Sequence, residues 1–386
     1  MLIFLKQSIK GYFPWVVELA RRAMKIFSIR YCYHRRTDSL DYIAAHSKGE
    51  EEGVGDAKLI DRLVASYSLR TEVPSGQWSN IFLDRHRDIH DAMMGNDRTR
   101  IEEILRKPAT SDLMYGFENN TRSLHSSRRI EDAHAPALTL DALICLAEAI
   151  AARPIDNPEN YTWRASKTRA DEVISQIESQ LKFQLLLPNL FPAEYGIVCS
   201  RGIMSYRVPQ AIYQAWRISQ LVSGISNPKV LEIGGGLGRT ALYARQFGIT
   251  DYTIIDIPVS SLAQGYFLGR VLGDEAVSLY GESAAPRRVD SDRVKLLPPS
   301  SFLEGSDSGY DLVVNVDSLT ELGSVAACRY WSAIQKRANV FLSINHEAND
   351  FSVATLITES GGIAQKTRVP YWMRRGYVEE VCSFVH

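Results

Sequence analysis

The chain has 386 residues, 45% of them hydrophobic and 23% charged, which is enough for two cores at roughly 100–200 residues per domain. A net charge of -1 excludes a general electrostatic pull toward polyanions, so no nucleic-acid partner is expected. The five cysteines (Cys32, Cys145, Cys199, Cys328, Cys382) form no CxxC pair, which argues against a disulfide framework or a thiolate zinc site and fits a reducing, cytoplasmic compartment.

The opening run Met1–Leu2–Ile3–Phe4–Leu5 is broken by Lys6, Lys10 and Pro14, too early for a signal-peptide core or a membrane span. Residues 1–55 then form a basic amphipathic segment and linker. Lys6, Lys10, Arg21, Arg22, Lys25, Arg30, Arg35 and Arg36 interleave with Phe4, Phe13, Trp15 and Phe27. Such a segment either docks on its own protein or meets an anionic membrane surface or acidic partner. The glycine-rich stretch from Gly49 to Gly55 closes it.

Residues 56–200 read as an α-helical auxiliary domain. Asp56 is placed to cap a helix in which Leu59, Ile60, Leu63, Val64 and Tyr67 share one face. Similar periodicity predicts helices over 79–94, 97–106, 138–151 and 168–187, and Pro188 and Pro192 mark the exit. His86 and His90 stand four apart on one of these helices, a spacing that can bind metal. Without an HExxH motif or a third ligand, a solvated helix face is the expected role.

Residues 201–386 change character. Short β-branched runs are predicted as strands over 229–233, 252–256, 277–280, 294–297, 310–315, 340–344, 368–371 and 379–384. Helical patterns over 237–247, 259–272, 325–337 and 351–359 alternate with them. The alternation predicts an α/β fold, a mostly parallel sheet covered by helices on both faces. The last two runs are too close for a helical crossover and should form an antiparallel C-terminal hairpin.

The most informative segment is "KVLEIGGGLGRTALYARQFG". A buried strand runs into Gly234, Gly235, Gly236 and Gly238, and a helix follows at once, offering free N–H groups to a ligand that must approach the backbone closely. Gly236, Gly238 and Ala241 also satisfy a dinucleotide spacing, and Asp256 can take ribose hydroxyls in either case. Glu232 favours S-adenosylmethionine, because a carboxylate directly before the glycines attracts the ammonium of its methionine part and repels a pyrophosphate.

These residues resemble a known family. "VLEIGGGLGRTALYA", "YTIIDIP", "AQGYFLGRVLG", "YDLVVNVDSLTEL" and "FLSINHEA", with the upstream "LMYGFEN" and "SRGIMSYRVPQAIYQAWRI", are similar to sugar O-methyltransferases of bacterial polysaccharide and natural-product clusters. That family is a branch of the class I S-adenosylmethionine-dependent methyltransferases, and the likeness spans roughly residues 76–386. It implies a Rossmann-like class I fold after the helical region. It also implies that Glu232, Gly234, Gly236 and Gly238 form the methionine-side loop, that Asp256 binds the ribose, and that the "NVDSLTEL" segment, with Asn315, closes over the donor.

Methyl transfer to a hydroxyl needs alignment and a base. In open α/β sheets the ligand lies beyond the carboxyl ends of the strands, which points to two loops. Asp317 and Glu321 lie after Asn315; Asn345, His346 and Glu347 lie around Ile344. His346 or Asp317 is the expected base, His346 because its ordinary pKa is near neutrality. Glu347 or Glu321 would orient it, with Glu321, Asn345, Arg201, Tyr206 and Arg207 on the substrate. Asp317, His346 and Glu347 could instead hold a divalent cation, though nothing in the spacing demands a metal. The acceptor is expected to be a small molecule or glycan, and the helical region is expected to shape the acceptor pocket or to make a homo-oligomer contact. A nicotinamide-dependent oxidoreductase using the same loop and a non-catalytic methyltransferase-fold scaffold stay open as alternatives.

Overall fold

In the computed structural model, the residues described are 19, 23–24, 33–34, 40–50, 56–72, 74–108, 111–118, 129–155, 167–282, 292–305 and 309–385. The basic positions expected to make up the amphipathic N-terminal segment, and linker residues 51–55, lie outside them. No helix among the described residues is long and apolar enough to cross a membrane.

The N-terminal half contributes six helices among the described residues: α1 (Asp56–Ser68), α2 (Gln77–Ile81), α3 (Arg87–Met94), α4 (Arg98–Arg106), α5 (Arg129–Ala149) and α6 (Ala170–Leu181). The helix predicted over 79–94 is divided by a π-turn, Phe82–His86. Such a turn inserts an extra residue and rotates the face that follows, which buries His86 completely. Asp56 does not act as a surface cap. It is buried, and its carboxylate takes Arg270 Nη1 at 2.9 Å and the Tyr266 hydroxyl at 3.3 Å.

This half is not wholly helical. Strands β1 (Leu40–Asp41) and β3 (Thr168–Arg169) pair in parallel, and β2 (Ala44–Lys48), β4 (Pro192–Cys199) and β5 (Gly202–Met204) form an antiparallel sheet. β4 carries a proline and a glycine and lacks a clean alternation, which hid it from periodicity.

The C-terminal half is the expected α/β fold. Its strands are β6 (Val230–Ile233), β7 (Tyr252–Ile255), β8 (Val277–Leu279), β9 (Val294–Leu297), β10 (Tyr310–Val316), β11 (Ala338–His346), β12 (Ile363–Pro370) and β13 (Tyr377–Phe384). They lie in the order β12-β13-β11-β10-β6-β7-β9-β8. All pairings are parallel except those of β13, which inserts antiparallel between β11 and β12. This is a Rossmann-like sheet ending in an antiparallel hairpin. All four residues of β6 and of β7 are buried, as strands covered on both faces must be.

Alternate residues serve opposite faces. Val230, Tyr252, Ile254, Leu312 and Leu342 join a core with α1, α5, α7 (Arg207–Leu221), α8 (Arg239–Gln246) and α9 (Pro258–Leu272). Leu231, Ile233, Ile255, Val313 and Phe341 join a second core beneath α10 (Pro299–Leu303), α11 (Ser324–Arg337) and α12 (Val353–Thr358). Gly265 and Gly269 of α9 let α1 approach closely: a Cβ on either would stand 2.5 Å from Leu63 Cδ2 or 2.8 Å from Leu59 Cδ2. From β6 the chain lays down β7, β8 and β9 on one side, then returns to β10 on the other side of β6. The carboxyl ends of β6 and β10 therefore flank a topological switch point, where open α/β sheets form their ligand crevice.

Candidate active site

A cleft opens at that switch point. Its floor is the glycine loop. Gly234 sits at φ 73°, and a Cβ there would fall on the Ser318 side chain, so the turn requires glycine. Ser318 Oγ and Asn315 Nδ2 both donate to the Ile233 carbonyl, at 2.9 and 3.0 Å, and so fasten the loop to the end of β10.

Glu232 lies beneath the glycines with 2% of its surface exposed, and its edge lines the cleft. Tyr252 donates its hydroxyl to Glu232 Oε2 at 3.0 Å. Burial pushes the carboxyl up to about 7; hydrogen bonds from Tyr252 and Thr240 oppose this, and the charge of Asp256 adds to it. None of the groups that shift it is a cation. Asp256, just past β7, accepts from the Ile257 N–H at 2.8 Å and from Gln264 Nε2 at 2.7 Å. Gln264 Nε2 also reaches the Gly236 carbonyl at 3.0 Å, tying the two loops together. Burial pushes Asp256 up to about 6.

The segment after β10 brings Asp317 and Glu321 to the cleft. Asp317 follows β10 at φ 55°, a left-handed conformation that non-glycine residues adopt at a cost and that clusters at functional sites. Both its oxygens accept from the Tyr377 hydroxyl, at 2.9 and 3.0 Å. Arg374 Nη1 lies 3.1 Å away, His346 Nε2 3.8 Å and Arg207 Nη1 4.0 Å. Glu321 closes a short 3-10 turn, Leu319–Glu321, and accepts from the Trp78 indole N–H at 2.9 Å. Burial first, and then the charge of Asp317, push Glu321 up to about 7.

Of the residues expected at the site, Glu232, Gly234, Gly236, Asp256, Arg207, Asp317 and Glu321 line this one cleft. Gly238 starts α8 just behind it, at φ 87°. Others do not reach it. His346 is not among the residues that line the cleft; its Nδ1 accepts the Ala348 N–H at 3.2 Å and its Nε2 lies 3.8 Å from Asp317 Oδ1. Glu347 is paired with Arg368 on the outer strand β12 at 2.8 Å. Arg201 forms a two-pronged ion pair with Glu178 of α6, at 2.8 and 2.7 Å. Asn345 is buried and donates to Asn315 Oδ1 and Ser343 Oγ. Asn315 and Asn345 thus act as a brace beneath the loop. Tyr206 precedes α7 and packs against the core.

His86 and His90 are not on a solvated face. Burial lowers His86 to about 4 and its Nε2 lies 3.1 Å from the Asp112 carbonyl, while His90 Nδ1 lies 3.1 Å from the Tyr67 hydroxyl. Among the described residues, no group of three or more His, Cys, Asp or Glu side chains is placed to hold a metal ion.

Sequence reasoning missed the wall supplied by the N-terminal half: Trp78, Phe117 and Glu118. Phe117 Cβ lies 3.6 Å from where a Cβ on Gly236 would be. Glu118 is anchored to Arg239, the first residue of α8, at 3.0 Å. The same guanidinium takes Glu194 of β4 at 2.6 Å, and all three side chains are at most 5% exposed. The α7 face bearing Arg207, Gln210, Ala211 and Gln214 lines the cleft at the i, i+3, i+4, i+7 spacing, a signal that helical periodicity could have shown.

No family model and no curated protein matches the chain. Among solved structures it is similar to the glycopeptide N-methyltransferase MtfA complexed with (S)-adenosyl-L-homocysteine, at 15% identity over 45% of this chain and 89% of that one, with a TM-score of 0.34. It is similar to magnesium protoporphyrin IX methyltransferase from Synechocystis PCC 6803 with bound SAM, at 14% identity over 47% and 85% of the two chains, TM-score 0.32. A third likeness is to the pyocyanin biosynthetic protein PhzM, at 14% identity over 47% and 56%, TM-score 0.34.

Proposed function

We propose that the chain transfers a methyl group from S-adenosylmethionine to a hydroxyl of a sugar or glycan-type acceptor. The observation that carries this reading is the charge of the cleft. Glu118, Glu232, Asp256, Asp317 and Glu321 line it with two arginines, Arg207 and Arg239; Arg239 is already engaged by two carboxylates, and Arg374 is spent on Asp317. A pyrophosphate brought into that excess of negative charge is repelled, which counts against a nicotinamide dinucleotide, whereas a ligand bearing an ammonium and a sulfonium is attracted. Glu232 fits such a ligand: it is a buried carboxyl held near neutrality for want of a cation.

When bound, S-adenosylmethionine supplies an electrophilic methyl group on a sulfonium. The chain's residues do the rest. Glu232 draws the ammonium to the glycine loop, and Asp256 accepts hydrogen bonds from ribose hydroxyls. At the far end, Glu321 takes the acceptor hydroxyl proton as the new C–O bond forms and the S–C bond breaks. A base of pKa about 7 is matched to that task at neutral pH, and the rate should rise with pH through about 7 as Glu321 ionises. The aromatic Trp78 and Phe117 line the cleft beside the polar Arg207, Gln210, Asp317 and Glu321. That mixture suits a sugar, which has an apolar ring face and a rim of hydroxyls. A scaffold that only binds partners has no use for a carboxyl so tuned. A cytoplasmic site of action goes with the same proposal.

The test is methyl transfer from labelled donor to a panel of nucleotide sugars, glycolipids and free glycans. Wild-type protein should label a hydroxyl oxygen. Glu321→Gln should cut turnover by about 100-fold or more while still binding S-adenosylhomocysteine. Labelled amine products, or turnover untouched by Glu321→Gln, would contradict the assignment.

A further inference from the structure

The turn that carries Glu321 is clasped by a distant piece of chain. Ser75 Oγ donates to the Leu322 carbonyl at 3.5 Å. Gly76, at φ 60° and ψ -139°, lies so close that a Cβ would stand 2.3 Å from the Glu321 carbonyl oxygen and 2.8 Å from Leu322 C. Trp78 follows, half-buried, with its indole N–H on Glu321 Oε2 at 2.9 Å. Its six-membered ring edge sits in space left by Gly116, where a Cβ would be 2.9 Å from Trp78 Cη2. Two glycines therefore make room for one tryptophan, one letting the backbones touch and one accommodating the ring. An indole nitrogen donates and never accepts, so this contact has a single chemical sense.

We infer that Trp78, from the N-terminal helical half, is a positioning residue that holds the Glu321 carboxylate toward the acceptor end of the cleft. The inference rests on the methyl-transfer reading for the purpose of that carboxylate, and on geometry for the contact itself. A carboxylate has about four acceptor positions. The Trp78 N–H and the Gln77 amide occupy two, and room remains for a substrate hydroxyl. Fixing one oxygen with a rigid donor selects one rotamer for the other, which is how a supporting residue makes a base ready before substrate arrives.

The charged groups that face Glu321 are Asp317, which raises its pKa, and Arg207, which lowers it; Gln77 and Trp78 lower it by hydrogen bonding. Asp317 is itself held by Arg374 and Tyr377, so its side chain stays in place when Trp78 is changed. Removing the indole N–H removes a hydrogen bond to the ionised form, and the pKa of Glu321 must rise.

The test uses the full chain labelled with ¹³C-carboxyl glutamate. The Glu321 signal is assigned by its loss in Glu321→Gln and titrated by difference infrared spectroscopy. The wild-type midpoint is expected near 7, and Trp78→Phe should move it upward by about one pH unit. If Trp78→Phe fails to fold, a 3-benzothienylalanine at position 78 keeps the ring shape and lacks only the N–H, and should give the same shift. A midpoint unmoved in a folded variant overturns the inference. Calorimetry with S-adenosylhomocysteine on the wild-type chain reads the underlying activity separately: failure to bind removes the methyl-transfer reading, whatever the titration shows about Trp78.

Discussion

Glu232 and Glu321 both sit near neutrality, yet they answer to different neighbours and should respond to different ligands. Burial dominates at Glu232, and what it lacks is a cation. Its folded-state pKa is raised from 4.5 to about 7. The stability tied to its protonated form is therefore full below about 4.5 and is lost as pH climbs through about 7. Glu232→Gln should melt at a higher temperature than wild type at pH 8 and at the same temperature at pH 4. The same substitution should weaken S-adenosylhomocysteine by about 10–100-fold, the usual worth of a hydrogen bond to a charged group. Thermal melts at the two pH values, with calorimetry at pH 8, check both; equal melts at pH 8 would mean that Glu232 is not a strained carboxyl. Glu232 and Asp256 were legible in the sequence because each ends a buried strand at a fixed distance from the glycines. Trp78, Glu118 and Arg239 were not. Their partners lie 243, 121 and 45 residues away, and no local periodicity encodes such pairings.

Among the elements, the parallel strands were read well and the edges poorly. β6 and β7 are wholly buried and β10 is buried over its central residues, so their short, mostly apolar runs stand out as strands covered on both faces. β12 was placed too short because IAQKTRVP is a polar, exposed edge strand, the kind that lysine, arginine and proline protect from further pairing. The π-turn in the helix predicted over 79–94 could not be read either, because one inserted residue leaves the hydrophobic spacing nearly unchanged. The segment before that turn is the one that reaches the site. Gly76 holds a left-handed conformation against a carbonyl, so Gly76→Ala should cost about 1–3 kcal/mol and loosen the clasp on the Leu319–Leu322 turn. A melting temperature lower by a few degrees and faster amide exchange at Leu322 are expected; no change in either would show that the two segments are not held together.

At the scale of the whole molecule, the cleft belongs to both halves of the chain. The loops after β6, β7 and β10 line it together with Trp78 and Phe117 from the helical half and Arg207 from α7. Buried Arg239 joins three of these parts, with Glu118 on one side and Glu194 on the other. Losing one partner of so buried an ion group leaves the others uncompensated, which explains why the Ser111–Glu118 segment is fixed against the glycine loop. The sequence marked residues 56–200 as a helical region that shapes the acceptor pocket or an oligomer contact, but gave no sign of which of its side chains reach the cleft. The excess of carboxylates that results makes one part of the proposal central: that the cleft takes an adenosyl ligand presenting an ammonium and refuses a dinucleotide. Calorimetric titration of the wild-type chain with S-adenosylhomocysteine and with NAD, at pH 6 and pH 8, tests it most directly. S-adenosylhomocysteine should bind, more tightly at pH 8 and with proton release at pH 6, and NAD should give no heat of binding. Binding of NAD, or S-adenosylhomocysteine affinity that is absent or indifferent to pH, would contradict it.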